Sequence, residues 1–165
     1  MGNIHPPFDQ IDASDIWGVG NTVEVRVAGV GLKKYRYVKF LDAVTYAPGQ
    51  VVTPTGTGWT AVTNDRSGGT TTFITRFGGV VIGTPTQNSW GWVQTFGYHA
   101  AVVTNQDDDI AAQDTIIVDT NEDGQVDSVA TATLTGDLSI VGTADTVDVD
   151  ASDTVAVWIN PTYPA

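Results

Sequence analysis

Apolar residues in this chain recur at every second position over short stretches and hardly anywhere at every third or fourth. Runs rich in Val, Ile, Thr, Tyr and Trp fall at 22–28, 35–41, 58–63, 79–83, 90–96, 100–104, 115–119, 125–130, 138–142 and 154–159, with Gly, Pro, Asn and Asp between them. About ten short strands with frequent turn signals predict an all-β fold, a sandwich or a barrel. Residues 111–113 allow one helical turn and no more. Residues 1–16, with Pro6-Pro7 and scattered acids, read as an extended N-terminal arm, which leaves 17–165 as a single β domain.

The pattern also repeats weakly. Residues 46–52 resemble 110–116, 58–62 resemble 124–129, and 80–85 followed by 91–93 resemble 139–144 followed by 157–159. The offsets drift through 64, 66 and 59 residues. Two explanations stand side by side: tandem halves at about 17–97 and 98–165, or chance matching of short strands and Gly turns.

Charge divides the chain more sharply than hydropathy does. All seven Lys and Arg lie between Arg26 and Arg76, whereas residues 77–165 carry 13 of the 19 acids and no base, within a net charge of -12. Nucleic acid and anionic membranes are therefore poor partners, since binding either begins with phosphate neutralisation. With no cysteine, the chain has no disulfide, thiolate–metal site or thiol nucleophile. Its first residues have neither the basic nor the apolar region of a signal peptide, and its longest uncharged stretch holds too many Gly and polar residues to span a bilayer. A soluble protein made in a cytoplasm is expected.

Catalysis finds little support. His5 lies on the arm and His99 beside Tyr98, and no serine sits in a nucleophile elbow. There are only two glutamates, Glu24 and Glu122, and the glycines at 29 and 31 lack the rest of a phosphate loop. No enzyme and no cofactor is expected. Residues 119–127 match the spacing of a calcium loop, with Asp119, Asn121, Asp123 and Asp127 as oxygen ligands, but position 12 of that loop is Ala130. The same residues suit a β-hairpin turning at Asp123-Gly124.

The one basic cluster, residues 33–40, places Lys34, Arg36, Val38 and Phe40 on one strand face and Lys33, Tyr35, Tyr37 and Lys39 on the other. It reads as a docking strand for an acidic partner or as a solvated edge. On the strand at 90–98, Trp90, Trp92, Phe96 and Tyr98 share one side and Gly91, Val93, Thr95 and Gly97 the other. That much aromatic surface predicts either an oligomer interface or a core strand.

Several stretches taken together resemble capsid decoration (cement) proteins of tailed bacteriophages. They are Gly20-Asn21-Thr22-Val23, Tyr35-Arg36-Tyr37-Val38-Lys39, Ala47-Pro48-Gly49-Gln50-Val51-Val52, Gly79-Val80-Val81-Ile82-Gly83 and Ser89-Trp90-Gly91-Trp92-Val93-Gln94-Thr95-Phe96-Gly97-Tyr98. The resemblance runs in order over about residues 16–160, and the Asp-rich tail and calcium-like turn fall outside it. It implies a non-catalytic virion protein on the outer capsid surface, bound to the major capsid protein as a homotrimer. Docking would then fall to Ile4, Phe8 and Ile11 of the arm with Lys33, Lys34, Arg36 and Lys39, and trimer contacts to Trp90, Trp92, Phe96 and Tyr98. The alternative is a calcium-stabilised β-sandwich for adhesion or glycan binding, with Trp59, Trp90 or Trp92 stacking on sugars.

Overall fold

A computed structural model describes residues 6–55, 59–65, 76–104, 109–119, 123–129, 140–147 and 153–162. Ten strands account for the described secondary structure, and no helix occurs among these residues. They are β1 (Thr22–Val27), β2 (Gly31–Phe40), β3 (Val51–Pro54), β4 (Ala61–Thr63), β5 (Gly79–Val81), β6 (Trp90–Val103), β7 (Thr115–Val118), β8 (Val126–Val129), β9 (Ile140–Ala144) and β10 (Thr154–Thr162). The all-β expectation holds, although the ten strands are not quite those anticipated. Two expected strands fuse into the 14-residue β6, and Val51–Pro54 forms a strand that the alternation did not mark.

The sheet runs β1-β2-β4-β3-β5-β6-β10-β9-β7-β8, and β2 also pairs with β6. That extra pairing closes β2, β4, β3, β5 and β6 into a ring. A single parallel bridge, Thr104 to Val126, brings β8 back to the end of β6 and closes a second ring of β6, β10, β9, β7 and β8. The fold is thus barrel-like, with β6 as a stave of both rings and β1 an added edge strand.

The two rings share one connectivity. In each, the first strand pairs parallel with the third, and the remaining neighbours are antiparallel. Registers correspond as well: Thr53 faces Thr63 as Ile117 faces Asp127, and Val81 faces Val93 as Ala144 faces Val157. Ala47 N–H donates to Gln50 Oε1 at 2.9 Å, and Ala111 N–H donates to Asp114 Oδ2 at 2.8 Å. Each of these turns then passes through a left-handed residue, Gly49 (φ 88) or Gln113 (φ 78). The correspondence holds at 64 residues (113 less 49) for β3, β4 and β6, and at 63 (144 less 81) for β5, in place of the drifting spacing read from sequence.

Interior positions follow the same correspondence. Val38, Tyr46, Val52, Val62, Val81 and Val93 fill the first ring, and Val102, Ile110, Ile116, Val126, Ala144 and Val157 occupy the matching places in the second. Each buried aliphatic side chain contributes about 1.5–3 kcal/mol. Val51, Phe77 and Val80 of the first ring join the second core, so apolar packing continues from one ring to the other.

Candidate functional site

The described part of the arm does not project. Residues 6–12 lie across the outer face of β2 and β6, where Phe8 stacks on Tyr35 with ring centroids 3.9 Å apart and meets Trp92 edge-on at 5.5 Å. Asp12 forms an isolated antiparallel bridge with Trp90, and Tyr37 Oη donates to Asp12 Oδ2 at 2.7 Å. Burial and then the Asp12 carboxylate raise the Tyr37 phenol well above its ordinary range, so it stays a donor. Ile11 reaches Gly83 and Gly91, where side chains would crowd it. Of the expected arm anchors, Phe8 and Ile11 are thus half-buried on their own barrel, and Ile4 lies outside the described residues.

Immediately after the arm comes an apolar pair that faces solvent. Ile16 is 55% exposed and Trp17 38%. Asp15 accepts from Gly18 N–H at 2.8 Å and Val19 N–H at 3.1 Å, and Asn21 Nδ2 donates to Trp17 O at 2.6 Å. Gly20 N–H and Tyr37 O then tie the loop to β2. Trp17 lies 6.3 Å from Trp92, so the knob is pinned rather than hanging free. The sequence signal was present, an apolar pair between Asp15 and Gly18, but placing the arm's end at residue 16 divided it.

The basic strand is split between two faces, as its alternation required. Lys34 pairs with Glu24 at 2.6 Å and lies over Phe96 at 5.7 Å, and Arg36 lies over Trp59 at 5.4 Å. Lys39, on the outer face with the arm, covers Trp90 at 5.2 Å. Lys33 is half-buried near His99, and that burial lowers its pKa. Each described ring facing these cations is thus capped by one of them, an attraction of about 0.5–1 kcal/mol at exposed sites.

The aromatic strand divides in the same way. Trp92 is 2% exposed, sealed between Tyr37 and Phe8, and so is spent inside the chain. Trp90 and Phe96 are half-buried under lysines, and Tyr98 packs on Trp158 at 5.2 Å. The side expected to allow close approach holds Val93, which fills the first ring. Of the tryptophans expected to stack on a sugar, Trp92 is buried, and Trp59 and Trp90 each have a cation over one ring face.

Between β7 and β8, Asp119 N–H donates to Gln125 O at 3.1 Å and Gly124 turns the chain at φ 75. Among the described residues no three acids or histidines stand close enough to hold a metal, and Asn121 lies outside them. Asp119 is 2% exposed, a core position of the hairpin rather than a surface loop residue.

A cavity of about 320 Å³ between residues 11–13 and 86–89 has one ionisable lining group, Asp12, already engaged by Tyr37 and Gln10. His99 is held neutral: burial first, then the Lys33 charge, lower its pKa to about 4. The unfolded imidazole titrates near 6.5, so the unfolded chain binds more protons between those values. Stability is accordingly expected to fall as pH drops from about 6.5 toward 4, by at most about 3 kcal/mol. His99→Gln should flatten that part of a urea-denaturation pH profile, and an unchanged slope would show that other groups set it.

These residues form an aromatic and cationic surface with no convergent nucleophile, base and orienting acid among the described groups. No family model, curated protein or solved structure matches the chain.

Proposed function

We propose that the protein is a non-catalytic decoration protein that binds the outer surface of a bacteriophage capsid and stabilises the shell. The carrying observation is the pinned pair Ile16–Trp17, exposed beside the arm on the face that also presents Lys39. A preorganised aromatic anchor loses little entropy on docking, and a nearby cation favours an acidic surface and sets orientation. The resemblance carried by residues 89–98 supports the same reading, as does the concentration of all cations in the first half. Contacts repeated over a lattice add through effective concentration, so a modest site suffices.

Occupancy on undecorated shells tests this reading. Trp17→Ala and Lys39→Glu should each reduce bound copies at least about tenfold at limiting protein, because an anchor of this kind contributes upwards of ~1.4 kcal/mol. Arg36→Glu, on the opposite face of β2, should bind nearly as wild type. Full occupancy by the Trp17 and Lys39 variants would remove the site, and a chain that binds no shell would remove the function.

A further inference from the structure

The outer surface of the second ring carries an aromatic pair that the fold does not require. Trp158 is 45% exposed and packs against Tyr98, its neighbour across the β10–β6 pairing, at 5.2 Å. Its indole Nε1 donates to Asp145 Oδ1 at 3.0 Å, which fixes the ring plane and sets a carboxylate at its edge. In the first ring the matching position is Gln94, 1% exposed, whose amide turns back onto the carbonyls of Phe96, Gly97 and Tyr98. A tryptophan at 158 is therefore not a demand of the barrel.

What such a surface lacks is visible on the other ring. There Phe96, Trp59 and Trp90 are each covered by a cation of the same chain. Residues 77–165 contain no Lys or Arg, so nothing in that half can do the same for Trp158. A tilted aromatic pair with a carboxylate beside it is complementary to a guanidinium, which stacks on the ring and pairs with the acid. Arg26 suits that role. It is exposed at the end of β1, next to the turn joining Val27 to Gly31, and among the described residues it makes neither an ion pair nor a ring contact. Its neighbour Val27 is 36% exposed and adds an apolar contact.

We infer that Trp158, Tyr98 and Asp145 form a receptor for Arg26 of a second copy of this chain. The two copies use different patches, so the contact is head-to-tail and propagates around a ring or along a filament. Opposite charge at the two patches supplies orientation against the net repulsion of two acidic molecules. The inference stands independently of the capsid reading, because it concerns self-association in solution.

Sedimentation mass at high micromolar protein and about 0.15 M salt, where the screening length is near 8 Å, tests it. Wild type should associate, and Arg26→Glu, Asp145→Lys and Trp158→Ala should each weaken association at least about tenfold while the far-ultraviolet circular dichroism stays unchanged. The double variant Arg26→Glu/Asp145→Lys should recover it, which a merely misfolded chain would not do. A monomeric wild type overturns the inference. So does association that Arg26→Glu leaves intact while Asp145→Lys abolishes it, since a different cation would then occupy the receptor.

Discussion

Gly97→Ala is expected to destabilise the protein by about 2–5 kcal/mol, a large effect for a single methyl group. Gly97 sits within β6 at φ 91, a left-handed conformation that costs an L-residue about 1–2 kcal/mol. A β-carbon there would overlap the carbonyl oxygen of Leu32 and stand 3.2 Å from the Lys33 Cα. Both obstacles are backbone of β2, so relief requires breaking the β2–β6 ladder that closes the first ring. Gly29→Ala is the matching control: φ is 76, and nothing lies within 4 Å of the added carbon. It should cost only the left-handed term, about 1–2 kcal/mol. Urea denaturation of both variants makes the comparison, and equal losses would mean that Gly97 is held by φ alone.

That glycine also explains why β6 was misread. Gly97-Tyr98-His99 interrupts the apolar alternation, so the stretch reads as a turn between two strands. In the structure the register slips between Lys34 and Tyr35 opposite β6, and the strand carries on. Val51–Pro54 escaped for a different reason: all four residues are buried, leaving no alternation to detect. The hydrophobic pattern was sufficient for the fold class, and for the two faces of β2, because period two is local. It could not show that residues 6–12 return to their own barrel, since Phe8 on Tyr35 is a pairing between distant segments. The exposed pair at 16–17 was hidden by that same uncertainty. Likewise, the spacing of the repeat became definite only when matching registers could be set beside one another.

Removing residues 2–12 should cost about 3–5 kcal/mol and shift tryptophan emission to longer wavelength. The truncation strips Phe8 from Tyr35 and uncovers Tyr37 and Trp92, now 0% and 2% exposed. It also leaves the Tyr37 hydroxyl without the Asp12 carboxylate it donates to. Phe8→Ala alone should lose about half as much, and Asp12→Asn less again, since the amide oxygen still accepts from Tyr37. A truncated chain with wild-type stability and unshifted emission would mean that the arm does not cover this face in solution. Binding experiments that delete the arm must therefore be read beside a denaturation curve, because lost occupancy would otherwise be credited to lost contacts. Trp17→Ala avoids the difficulty, acting on a side chain that already faces solvent.

Because one continuous strand serves both rings, the joint between the halves has no slack. Tandem modules are usually strung on linkers and swivel, so that a tug on one is lost in the connector. Here β6 is laced to β2 along its first part and to β10 along its second. A pull applied between the far end of the second ring and the face under residues 6–12 would run lengthwise along β6 and load many backbone hydrogen bonds in shear together, rather than peeling them apart in turn. Such a joint resists as a strut and not as a hinge.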